Sequence, residues 1–321
     1  MISRVADHCF WLGRYLERAE GTARVLQVTR NLALDGALSP RTCWHPVVVV
    51  AGEEVPFQAR FPAGAEDAEL VQRWLSWDEE NPSSIRRSVA AARENARSIR
   101  EVVSLEIWEA VNELHLWLAG PEAEARWRAD RHGFYRQVRH SIQLAQGQVQ
   151  GTMLHEDPYD FIVLGVMLER AGQIARILDV HHHALAAEAA HRVVETAVFL
   201  ALLRACSGFE PFMKRSRGAV TPGAIASFLV QDPRFPRSIR FALGTALNRL
   251  ERLGAADRGE SLERLRALEG WLAFQQPGAL GREELHALLT RVVDGTAQIC
   301  EAVGRELLGQ APAMAQAGVA Q

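Results

Sequence analysis

Lysine is almost missing from this sequence: of its 36 basic residues only Lys214 is a lysine, and the rest are arginines. Positive charge is therefore carried by planar forks suited to carboxylates and phosphates, a usage that a GC-rich genome would also produce. Cysteine is scarce and scattered. Cys9, Cys43, Cys206 and Cys300 form no CxxC spacing, which excludes a zinc knuckle or a thioredoxin-like motif and leaves free thiols in a reducing compartment as the expectation. No GxxxxGK[ST] or GxGxxG is present, so neither common phosphate-binding loop is available. GxSxG is absent, and no cysteine has a placed histidine partner, so nucleophilic catalysis has no support. No apolar run approaches bilayer length; the longest, around Thr196–Leu203, reads as a buried helix. Arg4, Asp7 and Arg14 interrupt any apolar signal core. The net charge of -3 gives no general pull toward nucleic acid or an anionic membrane. The expectation is a cytoplasmic globular protein with no cofactor.

What the sequence does contain is a repeat. WLGRYLERAEGTARVLQV, residues 11–28, recurs as VLGVMLERAGQIARILDV, residues 163–180. Leu12, Gly13, Leu16, Glu17, Arg18, Ala19, Ala23, Arg24, Leu26 and Val28 all keep their type in the second copy. A second pair lies downstream, LSWDEENPSSIR at 75–86 and LVQDPRFPRSIR at 229–240, and Trp117 and Trp271 hold the same offset. Order and spacing predict two pseudo-equivalent helical halves, 1–154 and 155–310, with a small, polar, disordered tail at 311–321.

Strand signals are nearly absent, so the fold class is all-α, a helical bundle. Residues 2 to about 35 read as one helix, capped by Ser3 and ended by Asp35-Gly36. The proline-broken stretch 37–66 suggests short helices and loops; Val47–Val50 has strand propensity without a strand partner. Glu66 to Trp77 reads as a short helix. Asn81-Pro82 opens a helix expected to run, with a kink, to Gly120, and Pro121 opens another to about Gly151. Asp157-Pro158 starts the second long helix, expected to reach His191. Further helices are expected near 192–205, 211–217, 222–230, 236–254, 259–273 and 282–309.

Helical spacing puts Leu12, Leu16, Ala19, Ala23 and Leu26 on one apolar stripe, with Gly13, Glu17 and Arg24 roughly opposite. The second copy places Gly165, Glu169 and Arg176 in the same way. A solvated face would drift after duplication, yet these positions are kept while Glu20 became Gly172 and Arg14 became Val166. Two readings follow: buried ion pairs that lock helix packing, or a polar ligand site shared by two helices; a solvated face remains a third. Arg18 and Arg170, beside that face, fit either role. Ser84 and Ser238 lie in first helical turns, followed by Arg86 and Arg240, which reads as helix initiation or as an anion pocket at each helix start. Asp78 and Asp232 are candidates to cap these starts or to pair with those arginines.

His181, His182 and His183 point in different directions on a helix, and Glu188 with His191 makes one ExxH pair where a di-iron bundle needs two, so no metal is expected. The eight tryptophans read as packing residues, Trp44 and Trp77 being the candidates to line a cleft.

Together, RVADHCFWLGRYLERAEGTAR, SWDEENPSSIRRSVAAARENARSIRE with WEAVNEL, LERAGQIARILDV and FPRSIRF resemble the bacterial Alpha-E domain family over nearly the whole chain. The resemblance implies an all-helical fold. It also implies a setting beside, or fused to, circularly permuted ATP-grasp ligases, often with a transglutaminase-like peptidase, and so a role in making or modifying a small peptide through amide bonds. The family has no established catalytic residues; only its Glu-Arg signature carries over, onto Glu17, Arg18, Glu169 and Arg170. Gly172 stands where the family commonly has an acidic residue. Three functions are compatible: a partner that holds a peptide or amino-acid substrate for the ligase, an enzyme of the same pathway using Glu17 or Glu169 as general base, or a structural oligomer.

Overall fold

The computed structural model describes residues 2–34, 39–62, 64, 67–187, 192–216, 220–254 and 259–310, with side chains omitted for 180–195. Every regular element among the described residues is a helix. Two of them are long: α1 (Ser3–Leu34) and α9 (Asp157–Ala187). They pack on each other at the centre, and most other helices lie against one or both. α5 (Ile85–Ser98) and α8 (Arg131–Thr152) flank α1, while α13 (Ile239–Arg252) and α15 (Arg282–Glu306) flank α9. α2 (Pro40–Val50) and α10 (Arg192–Ala205) lie near the far end of α1. The outer elements are α3 (Glu54–Arg60), α4 (Ala68–Ser76), α6 (Leu105–Ala119), α7 (Pro121–Ala129), α11 (Phe209–Arg215), α12 (Pro222–Gln231), α14 (Glu260–Ala273) and a 3-10 turn at Pro277–Ala279.

A single contiguous apolar core runs through the molecule. It takes the leucine and alanine stripe of α1 together with Leu164, Leu168, Ala171, Ala175 and Leu178 of α9. α1 is buried on its polar side as well, since Gly13, Glu17, Glu20 and Arg24 are all inside. Surrounded helices of this kind must satisfy their polar groups within the protein.

The close approach of the two long helices has a local cause. A Cβ on Gly13 would fall 2.1 Å from the Ile162 carbonyl oxygen, and one on Gly165 would fall 2.1 Å from that of Phe10. Backbone meets backbone at both positions, so only glycine fits.

Several boundaries differ from the sequence expectation. Ser3 lies inside α1, whose first turn closes on the Ile2 carbonyl. Val47–Val50 is helical, because Pro40 and the Ser39 cap start α2 and its apolar side packs on α1 and α9. The helix expected from Asn81 starts instead at Ile85, where the Ser84 hydroxyl accepts from the Arg87 N–H; Ser238 does the same for α13. It also does not continue to Gly120. It ends at Ser98, and Ser104 caps a separate α6. Asp130 likewise divides 121–151 by ending α7 and capping α8. α10 is the apolar Thr196–Leu203 run, and it is largely buried. No single helix among the described residues is long and apolar enough to cross a membrane, although α10 and α11, bent by 114°, pass by length and composition as a pair. Asp35-Gly36, Glu188, His191 and the tail 311–321 lie outside the described residues.

Candidate functional site

At the crossing of α1 and α9 the repeated Glu-Arg pairs exchange partners. Arg170 donates through Nε to Glu17 Oε1 at 2.7 Å and through Nη2 to Oε2 at 2.8 Å. Arg18 donates through Nε to Glu169 Oε1 at 2.8 Å and through Nη2 to Oε2 at 3.0 Å. Each helix thus grips the other's carboxylate with a bidentate fork, the strongest geometry an arginine offers. Glycine one turn before each glutamate brings the helices near enough for this reach.

The two carboxylates differ in their remaining partners. Glu17 also accepts from Arg237 Nη1 at 3.2 Å and from Gln146 of α8 at 3.0 Å. Glu20, one turn on, accepts from Arg237 Nη2 at 3.1 Å and Gln143 at 3.0 Å, is held by Arg24, and has Arg139 Nε at 3.8 Å. Arg24 also donates to the hydroxyl of Ser207, a non-glycine residue in the left-handed region at φ 52°. Glu17 and Glu20 thus each have two or more arginine partners. Glu169 takes Arg14 Nε at 2.9 Å and Gln173 at 3.3 Å. Position 172, however, is glycine where α1 has Glu20, and Ser83 stands where the second segment has Arg237. Arg176, the counterpart of Arg24, makes no hydrogen bond or ion pair among the described residues.

Those changes leave space. A cavity of about 230 Å³ opens between α1, α2 and α9, lined by Arg14, Arg18, Glu169, Arg176, Glu53 and Ser83 with Val25, Val47 and Ile177 as part of its apolar wall. A second, of about 270 Å³, lies between α9 and α15 and shares Arg14, Glu169 and Arg176 with the first; Gly172, Thr296 and Cys300 also line it. Burial lowers the pKa of Arg176, Glu169 offsets part of this, and Arg18 and Arg14 lower it further. It is a cation held at a cost and facing a cavity.

Burial pushes the Glu169 carboxyl up, but Arg18 and Arg14 outweigh it and hold the group at about 2. Glu20 is likewise held at about 2, burial being outweighed by Arg237 and Arg24. Glu17 is lowered against its own burial by Arg170 and Arg237. Carboxylates this acidic, with their lone pairs already engaged, are poor proton acceptors near neutral pH, which removes support from Glu17 or Glu169 as a general base. A stability consequence follows. These depressed groups stabilise the fold fully above the ordinary glutamate pKa of 4.5, and that contribution is lost as pH falls from 4.5 toward 2. The melting temperature should therefore drop as pH falls from about 4.5 toward 2, and Glu169→Gln should start lower at pH 7 and show a shallower slope. A slope unchanged by that substitution would refute the assignment.

The other arginines singled out from sequence are elsewhere. Arg86 pairs with Glu79 at 3.1 Å on the surface, and Arg240 lies 4.0 Å from Glu269. Neither lines the cavities beside Glu169. Asp78 and Asp232 accept from the Glu80 and Arg234 N–H groups, and they pair with Arg60 and Arg215 rather than with Arg86 and Arg240. Trp44 is buried in the core, and Trp77 packs against Trp127 and Phe134 beside a surface depression that Arg86 also lines. Among the described residues no group of three or more histidine, cysteine or acidic side chains is placed to hold a metal ion. Sequence reasoning missed Arg14, Glu20, Glu53, Arg139 and Arg237 as members of the centre. The signal for two of them was the difference between the copies, Glu20 against Gly172 and Arg237 against Ser83.

The chain is 24% identical to an uncharacterized protein of Mycobacterium bovis and to two uncharacterized proteins of Mycobacterium tuberculosis. Each match runs over 263 residues, 75% of this chain and 28% of the relative, so the chain spans little more than about a quarter of these proteins. No solved structure matches it. A family described as a predicted alpha-helical domain with a conserved ER motif matches residues 1–308. With its two Glu-Arg pairs gripping each other across the central helices, the chain belongs to that family, Alpha-E.

Proposed function

We propose that this protein holds a small peptide or amino-acid ligand for an ATP-grasp ligase that forms amide bonds, without carrying out the chemistry itself. The observation that carries the reading is Arg176, a half-buried guanidinium with no partner among the described residues, on the wall of a cavity. Such a cation is stabilised when a carboxylate arrives, and a charge-assisted fork in a sheltered site gives both affinity and orientation. The acidic, fully engaged carboxylates beside it favour binding over proton transfer. The ligase partner, circularly permuted, and a transglutaminase-like protein as a second partner come from the family resemblance; a cytoplasmic setting comes from the scattered free cysteines. The length of the relatives leaves room for further domains on one chain. In this reading the molecule consists of two pseudo-equivalent halves, 1–154 and 155–310. One has closed its site with Glu20 and Arg237, and the other has left it open.

The test is reconstitution. Purified ligase should co-purify with this protein and should form amide product faster when it is added. Arg176→Gln should leave co-purification intact while cutting the stimulated rate about tenfold, the scale expected for one charged hydrogen bond. Equal stimulation by the variant would refute the site, and absence of both docking and stimulation would refute the partnership.

A further inference from the structure

Glu53 lines the same cavity as Arg176. It is 6% exposed, follows the C-terminal end of α2, and its backbone N–H closes on the Val48 carbonyl. Its carboxylate makes no hydrogen bond or ion pair among the described residues, and no ion pair joins it to Arg176. A buried carboxylate and a half-buried guanidinium on one cavity wall, neither satisfied by the protein, form an unusual pair.

The internal repeat suggests what each lacks. Arg24 is satisfied from two sides, by Glu20 on its own helix and by Ser207 at the end of α10. Arg176 has Gly172 in place of the first, and a Cβ there would meet only the Thr296 hydroxyl, at 3.3 Å. Position 207 corresponds to Glu53 at the offset of 154 that relates Leu75 to Leu229. Arg176 thus lacks the carboxylate that Glu20 gives Arg24, and a carboxylate, Glu53, stands at the position of Ser207. What remains is a cation and an anion lining one cavity with no ion pair between them. Arg14 and Arg18 are engaged by Glu169. Between them, Val25, Val47, Val50, Leu75 and Ile177 give an apolar wall.

We propose that this cavity binds a zwitterion, a free amino acid or an unblocked short peptide, with its carboxylate on Arg176 and its ammonium group on Glu53. The inference rests on the ligand-holding reading above and names its ligand class. One bound molecule neutralises both buried charges. A plain carboxylic acid satisfies Arg176 alone and leaves Glu53 buried against it. Inorganic phosphate does the same. The apolar wall receives the side chain.

Titration calorimetry on the full chain tests this with three probe sets: the common L-amino acids and their dipeptides, the matching des-amino carboxylic acids, and the amino-acid amides. At least one amino acid or dipeptide should bind, with its des-amino and amide analogues about tenfold weaker or worse. Glu53→Gln should weaken the amino acid about tenfold and leave the des-amino acid unchanged; Arg176→Gln should weaken both. Glu53→Gln should also melt no lower than the parent, since it removes an unpaired buried charge. A clear fall in its melting temperature would mean that the protein already satisfies Glu53, and would overturn the proposal. So would equal affinity for amino acids and des-amino acids, although that result would leave an anion-holding role standing. Binding of no amino acid or dipeptide at millimolar concentration overturns it outright. Amino-acid binding without stimulation of the ligase would sustain the zwitterion site and refute the ligase partnership.

Discussion

Gly13→Ala should cost about 3 kcal/mol, the upper end for overpacking, because the added methyl lands on backbone. Its Cβ would sit 2.1 Å from the Ile162 carbonyl oxygen, with the Val166 nitrogen at 3.2 Å. A flexible side chain could swing away, but a carbonyl inside α9 can move only with its helix. Gly165→Ala meets the Phe10 carbonyl oxygen in the same way and should cost a similar amount. Both substitutions are relieved by one displacement, the separation of α1 from α9. The double variant should therefore cost less than the sum of the singles, as expected for coupled neighbours. The same displacement pulls Arg18 from Glu169 and Arg170 from Glu17, so part of the loss is electrostatic. Gly147→Ala is the control. It is a glycine inside α8 with nothing within 4 Å of the built Cβ, and helix propensity alone should stabilise the variant by about 0.5–1 kcal/mol. Urea midpoints measured at constant m-value would decide. A neutral Gly13→Ala would mean that the two central helices cross with room to spare.

The crossing was partly legible in the sequence because both copies keep it. Leu12, Leu16, Ala19 and Ala23 are core by periodicity, and that period survives burial of the opposite face. Glu17 and Glu169 stood out because they recur, but recurrence cannot say whether a charge is buried or solvated. That depends on α8, α13 and α15, which pack around the long helices from far along the chain. The helix breaks at Ser98–Ser104 and at Asp130 were hidden for another reason. Capping side chains and helix-interior side chains are the same residue types, and only the packing of α6 and α8 decides which role Ser104 and Asp130 take. Val47–Val50 shows the reverse: strand propensity yields to a Ser39-Pro40 helix start and two helices to pack against. The cavity was the least legible feature. Arg86 and Arg240 were selected by repetition and turned out to be peripheral. Arg237 and Glu20 are central and are the positions at which the copies diverge. Repetition alone did not separate Glu17 and Glu169 from Arg86 and Arg240; the divergent positions Glu20/Gly172 and Arg237/Ser83 are where the surroundings of the two glutamates differ.

Glu17→Gln should cost about 3–5 kcal/mol, the range for breaking a buried ion pair from one side. The substitution keeps the shape and removes the charge. Arg170 would then keep at most one neutral amide oxygen in place of the bidentate carboxylate, with the Pro236 carbonyl at 3.2 Å and a weak contact with Met167 sulfur, and its cation would still be inside the protein. Arg237 loses one of its two carboxylates and leans on Glu20, which already serves Arg24. An amide also brings two N–H donors to a cluster that is rich in donors. Either Gln146 loses its acceptor, or the new amide turns a donor toward Arg170. Both outcomes leave a buried group unsatisfied. Arg170→Met should cost a comparable amount by leaving the buried Glu17 carboxylate with only Arg237 and Gln146. The double variant Glu17→Gln, Arg170→Met removes the stranded cation along with the carboxylate. It should therefore recover a large part of either single loss, because an apolar or neutral replacement of a whole buried pair is often tolerated. Arg86→Ala sets the scale at the surface, where its exposed pair with Glu79 should be worth no more than about 1 kcal/mol. A double-mutant cycle on chemical denaturation measures the coupling directly. Strong coupling for Glu17 with Arg170 identifies the Glu-Arg exchange as the lock that holds α1 on α9. The free guanidinium of Arg176 is then the part of the repeated face left to a ligand. Near-zero coupling would require water to reach Glu17, and the separation of lock from site would fail with it.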